Sequence, residues 1–252
     1  MEALLVVDLH AHLLQSEVAG LLGGYLKHSS ESSSLEENCN VLKVCRAIPC
    51  QSSSSNVGCD ICPVSQTEAL EALEAEGLEL VGWYHSHPTF PPLPSVQDIE
   101  TQIRVQDWFT RSNGSPFIGL ILSPHSSVNL SLASSYRCIL IDDKQEIKKV
   151  PFELDASLRS LETSGPCLSY LKNVITIVSK DSSAKINLDD SLESIHIQCI
   201  TLRKKIIESA RILLESGKPQ PQYSVKVDII TGLEKILTEL TNLSSEDNVE
   251  SH

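Results

Sequence analysis

Apolar residues recur at helical spacing in EALLVVDLHAHLLQ and then run together in EVAGLLGGYL, which ends on a glycine pair. The first pattern predicts a helix and the second a strand. KHSSESSSLEENCN is polar and serine-rich and predicts a surface loop, whereas VLKVCRAIPC predicts a strand. QSSSSNVGCDICPVSQ predicts a second irregular loop. SQTEALEALEAEGL is the clearest helical pattern, with Ser65 placed as N-cap, Glu68 three residues on and Gly77 as the stop. LELVGWYHSHP, FIGLILSP, SYRCILID and IKKVPFEL predict further strands, and PSVQDIETQIRVQDWF predicts a helix capped by Ser95 with Asp98 in its first turn. Helices and strands mix without strict βαβ alternation, so residues 1–155 predict an α/β or α+β domain. ESIHIQCITLRKKIIESARILLES and VKVDIITGLEKILTELTNL predict long amphipathic helices, a C-terminal helical region over residues 156–252 without internal repeats.

Composition narrows the classes. At 252 residues, 41% hydrophobic and 21% charged, the chain can bury a sizeable core and is not of disordered type. A formal net charge of -13 repels phosphate backbones, so direct nucleic-acid binding is not expected and a partner with a basic face is. The apolar N-terminus lacks a basic leader and includes Glu2, Asp8 and two histidines, which argues against a signal peptide. No apolar run is long enough for a membrane span. Eight scattered cysteines in a chain of this size suit free thiols in a reducing, intracellular compartment.

The candidate chemistry lies in GWYHSHPTFPPLPSVQDIETQ. On a strand, His85 and His87 point to one side and Tyr84 and Ser86 to the other. A bare His-x-His is a weak signal and usually marks two surface histidines. If the proline-rich bend returns the next helix over the strand end, Asp98 joins the two histidines and completes the three-ligand set of a catalytic zinc. Ser95, one turn before Asp98, points its hydroxyl to the same side, where it can donate to a developing oxyanion. The plain alternative for Ser95 is an N-cap, a use that competes for the same hydroxyl.

The spacing His-x-His-x7-Ser-x2-Asp resembles the JAMM motif of MPN-domain metalloproteases, and MEALLVVDLHAHLLQSEVAGLLGG, AIPCQS and PVSQTEALEAL extend the likeness over about the first 155 residues. The family motif adds an upstream glutamate, which here is Glu17. The resemblance implies a cytidine-deaminase-like mixed sheet flanked by helices, with a C-terminal helical extension. It implies one catalytic zinc on His85, His87 and Asp98, Glu17 as general base and Ser95 as oxyanion donor. The implied activity is that of a deubiquitinase cutting the isopeptide bond between ubiquitin and a lysine, on a histone in some family members. A nuclear location, or else a cytoplasmic one, and a second MPN subunit as partner are implied as well. The rival reading is an MPN scaffold or binding module without catalysis.

Other features read as structural. Cys59 and Cys62 lack the second pair of a structural zinc site and read as two thiols. His10 and His12 point apart on a helix, by about 200 degrees. TLRKK reads as a solvated basic face, and Trp83 and Trp108 read as core anchors for the ligand-bearing strand and helix.

Overall fold

The computed structural model describes residues 1–27, 41–55, 58–113, 116–142, 150–153, 156–179, 186–194 and 197–246. The chain opens with helix α1 (Glu2–Leu13) and strands β1 (Ala19–Lys27) and β2 (Val41–Cys50). A short hairpin, β3 (Ser52–Ser55) and β4 (Gly58–Ile61), leads into α2 (Pro63–Ala75), β5 (Glu79–Ser86) and α3 (Val96–Asn113). After β6 (Ile118–Ser123), β7 (Ser135–Asp142) and β8 (Val150–Glu153) come α4 (Gly165–Val178), a second hairpin of β9 (Ser191–Ser194) and β10 (Ile197–Thr201), α5 (Leu202–Ser216) and α6 (Tyr223–Glu246). One six-stranded mixed sheet runs in the order β2-β1-β5-β6-β7-β8, and every neighbouring pair is antiparallel except β5 with β6.

β1 is apolar on both faces because both are covered. Leu21 joins Cys50, Ala69 and Leu73 under α2, whereas Leu22 joins Ala47, Tyr84 and Leu122 in the larger cluster under α1. α1 has no polar face and is buried from Ala3 to Leu13, as expected of a helix with protein on every side. It rests on the sheet through β2, β5 and β6, and α4 and α5 cover its back. One hydrophobic cluster therefore runs from Val6, Val7 and Leu9 into Val174, Ile206, Leu213, Ile229 and Leu237, so the C-terminal helices share the core of the N-terminal half.

The structure corrects several expectations. The segment after β2 is a paired hairpin, Ser52 against Ile61 and Ser54 against Cys59, and not an irregular loop. α2 begins at Pro63 with Cys62 at the cap position, and Ser65 lies inside the helix, where its hydroxyl accepts from the Gln51 amide at 3.0 Å. Proline suits a first helical turn, which has no donor to lose there. Gly77 does end α2: at φ 69° it lets Leu78 N–H donate to Leu73 O and Gly77 N–H to Glu74 O, both at 2.9 Å, a Schellman closure. The stretch from 193 to 216 is not one helix, since its first part pairs as β9 and β10 and only Leu202–Ser216 is helical. α4 had no counterpart among the expected elements. The polar segment 28–40 lies outside the described residues, and no helix among those described is long and apolar enough to cross a membrane.

Candidate metal centre

Antiparallel pairing of β1 with β5 builds the site. The register sets Ala19 opposite His85, and past the end of the ladder the Ser86 amide donates to Val18 O at 2.9 Å while the Val18 amide donates to Ser86 Oγ at 3.0 Å. Glu17, the next residue outward, thus stands across from His87, and its charge is one of those acting on that imidazole. Strand alternation sends Tyr84 and Ser86 into the core and brings His85 and His87 to the opposite side.

The bend after His87 returns α3 over the strand end. Asp98 Oδ1 lies 3.1 Å from His85 Nε2 and Oδ2 lies 3.4 Å from His87 Nε2, while the two Nε2 atoms are 3.1 Å apart. A zinc ion at 2.0–2.1 Å from tetrahedrally arranged ligands would separate those ligands by about 3.3 Å, and each of the three separations is close to that spacing. Its chemistry fits as well. His87 Nδ1 lies 3.0 Å from Pro91 O, a carbonyl that can only accept, so the proton sits on Nδ1 and the lone pair on Nε2 faces inward. Two imidazole nitrogens and a carboxylate converging on one point call for a cation. Among the described residues, these three form the one group of histidine, cysteine and acidic side chains able to hold a metal ion.

The electrostatics agree with that arrangement. Burial opposes ionisation of Asp98, but the His85 and His87 imidazoles, which donate from Nε2 when the rings are protonated, and the Ser95 amide outweigh it and hold the carboxyl well below the usual range. Burial also disfavours a charged His87, but Asp98, the Pro91 carbonyl and Glu17 together raise its pKa.

Ser95 and Asp98 form a reciprocal cap. The Asp98 amide donates to Ser95 Oγ at 3.1 Å and the Ser95 amide donates to Asp98 Oδ2 at 2.7 Å. Capping uses the hydroxyl as an acceptor and leaves its O–H to donate, so the cap and the oxyanion role do not compete, contrary to the expectation from sequence.

The supporting shell was only partly legible. Trp83 stacks on His85 with ring centroids 4.8 Å apart and an interplanar angle of 19°. Its indole N–H donates to Gln102 Oε1 at 2.7 Å, and Gln102 Nε2 donates to Phe117 O at 2.7 Å. Gln106 continues this stitching by donating to Ile141 O at 2.7 Å and accepting from the Ile141 amide at 2.9 Å. Trp108 is not a core anchor: it is 65% exposed and meets Phe109 edge-on. Alternating glutamines on α3 offered no signal in the sequence beyond their i,i+4 spacing.

His10 Nδ1 lies 2.8 Å from Tyr84 Oη, and His12 Nδ1 lies 2.8 Å from Asp8 O, so both are tied into the core, away from the metal centre. TLRKK is not simply a solvated face. Arg203 bonds Thr238 and Thr241 of α6, and Lys205 reaches His125. Cys62 is a free, half-buried thiol, and the Cys59 side chain lies outside the described ones.

Residues 4–126 match the family described as prokaryotic homologs of the JAB domain. The histone deubiquitinase MYSM1 of Branchiostoma floridae is 47% identical over 56% of this chain and 16% of its own length. The human MPN domain-containing protein is 39% identical over 50% of this chain and 25% of its own. The chain thus spans only a small part of the curated relatives it matches. A solved structure, protein DSY2949 of Desulfitobacterium hafniense, aligns at a TM-score of 0.38 and 21% identity, over 60% of this chain and 82% of that one. Residues 4–126 of this chain are thus similar in sequence to the JAB domain and to MPN-domain relatives.

Proposed function

We propose that the chain is a zinc-dependent deubiquitinase that hydrolyses the isopeptide bond between the ubiquitin C-terminus and a substrate lysine. The observation that carries this reading is the convergence of His85 Nε2, His87 Nε2 and the Asp98 carboxylate: Oδ1 lies 3.1 Å from His85 Nε2, Oδ2 lies 3.4 Å from His87 Nε2, and the two nitrogens are 3.1 Å apart. Zinc in such a site supplies Lewis acidity and lowers the pKa of water. Glu17, across from His87, accepts the proton of the attacking water and returns it to the lysine amine as that amine leaves. Ser95 donates its O–H to the scissile carbonyl oxygen as charge builds there.

The extended ubiquitin tail suits strand addition. The β3–β4 hairpin ahead of α2 and the segment 110–117 ahead of β6 are candidates to hold that tail. Phe90, Leu93 and Val96, exposed on and just after the bend, offer apolar surface to a folded substrate. Relatives named as histone deubiquitinases support a ubiquitinated histone as substrate and a nuclear location. Residues 1–155 form the catalytic domain in this reading, residues 156–252 its helical support, and a second MPN subunit is a candidate partner. The acidic net charge of -13 argues against direct nucleic-acid binding.

The test is elemental analysis joined to cleavage of a panel of ubiquitin conjugates that includes mono-ubiquitinated nucleosomes. The expected result is about one zinc per chain, lost together with cleavage in His87→Ala. Zinc content unchanged by His87→Ala would overturn the ligand assignment, and a wild type that holds zinc but cuts nothing in the panel would favour a scaffold.

A further inference from the structure

The β6–β7 connection, residues 124–134, is held at both ends by α5. Near its start, Lys205 Nζ lies 3.3 Å from His125 Nδ1. At its end, the Ser134 amide donates to Ser209 Oγ at 3.3 Å, and the Ser134 hydroxyl donates to Asp8 Oδ1 of α1 at 2.5 Å. The end of β6 and the start of this connection grip the chain just after β5, where His87 lies. His87 N–H donates to Leu122 O at 2.9 Å, His125 N–H donates to Pro88 O at 3.0 Å, and the Ser123 hydroxyl donates to Phe90 O. A continuous path of contacts therefore runs from α5 through His125 and Pro88 to His87.

The protonation states on this path are determined by chemistry. An ammonium has donors and no acceptor, so His125 Nδ1 must present its lone pair to Lys205 and carry its proton on Nε2. Burial first, then the nearby His12 and Lys205, hold the His125 pKa down to about 3, so the ring stays neutral and can accept. The His12 ring packs edge-on against it at 5.3 Å and fixes its plane. Lys205 is half-buried and partly desolvated, with the charge of Asp8 in compensation. Burying an ammonium is costly, and an apolar residue at this position would fill the space without that cost. Among the described residues, the directional contact that the amine gains is the bond to His125.

We propose that Lys205 is a positioning residue: through His125 it holds the Pro88–Phe90 loop, and with it His87, in the geometry that metal binding needs. α5 is then a working part of the site. The proposal rests on the reading of His85, His87 and Asp98 as metal ligands, but its first readout does not.

Residue-resolved hydrogen exchange on the metal-free full chain tests it. In Lys205→Met the amides of His87 and His125 should exchange about tenfold faster, the scale of losing one charge-assisted hydrogen bond, while amides of α4 and α6 keep their wild-type rates. Lys205→Arg should restore protection. Zinc affinity, read by competition with a chelating dye, should fall by about the same factor in Lys205→Met and recover in Lys205→Arg. Unchanged protection at His87 and His125, or an equal loss in α4 and α6, would overturn the proposal. If Lys205→Met does not fold, Lys205→Gln, which keeps a shorter and uncharged donor, serves instead; roughly threefold faster exchange confined to the two amides supports the proposal and none refutes it. A wild type that binds no zinc would sink the functional reading and leave the exchange result to decide on the coupling.

Discussion

Ser95 and Glu17 each carry a separable prediction of the proposed mechanism. The Ser95 hydroxyl accepts from the Asp98 amide and keeps its proton for another partner. Ser95→Ala should therefore have two separable effects: a stability loss of about 1 kcal/mol from the missing cap, and a fall in turnover of roughly a hundredfold from the missing oxyanion donor. Urea unfolding and steady-state kinetics read them separately, and an effect confined to KM would leave Ser95 with the cap alone. In the proposed mechanism Glu17 acts through its carboxylate, and the amide of Glu17→Gln keeps the shape and cannot take a proton. Cleavage should fall by at least about a hundredfold, within the usual contribution of a general base, with zinc content unchanged. Activity kept above about a tenth of wild type would assign the base elsewhere.

β5 and α3 carry the ligands between them, and their relative placement depends on the glutamine stitching. Gln102 lies one helical turn beyond Asp98 and is fully buried, with both ends of its amide bonded. Gln102→Leu would leave the Trp83 indole N–H and the Phe117 carbonyl without this partner, a cost of about 1–3 kcal/mol for each buried group left unsatisfied. Because Asp98 rides on the same helix, zinc affinity should drop along with the unfolding free energy. Isothermal titration with zinc at a temperature where the variant is folded checks this, and wild-type affinity in a destabilised variant would show that α3 is placed by other contacts.

Several buried titratable groups give the fold a pH dependence. Burial holds His10, His12 and His125 to pKa values of about 3 and raises Asp8 to about 6. A histidine with a depressed pKa contributes stability that is complete above its unfolded value of about 6.5 and is lost as pH falls toward 3. Asp8 acts in the opposite sense: its contribution is complete below about 4 and is lost as pH rises toward 6. Between these limits three histidines oppose one carboxyl, so the folded state should weaken on acidification. The slope approaches about 1.4 kcal/mol per pH unit for each net proton taken up on unfolding. Urea midpoints at about pH 7 and about pH 5 measure it, and a higher midpoint in acid would contradict the sign.

Much of the site could be read from order alone. His85 and His87 share a side because strand side chains alternate, and Asp98 and Ser95 share a side because one helical turn separates them. Both are local periodicities, which is why the pattern was legible without contacts. The strands of the sheet were legible for the same reason, and so was the α2 stop at Gly77, where the backbone turns left-handed. Where local signals were ambiguous, pairing decided. The serines between β2 and α2 have weak propensity and became a strand by antiparallel pairing of Ser52–Ser55 with Gly58–Ile61. The helical pattern began at Glu193, and yet Ser191–Ser194 and Ile197–Thr201 paired as two strands ahead of α5. Trp108 had the composition of a core residue and was left outside, because the face of α3 toward the sheet was taken by Gln102 and Gln106. The bond from Lys205 to His125 joins residues 80 positions apart. No periodicity reports such a contact, since it exists only once α1 is enclosed between the sheet and the C-terminal helices.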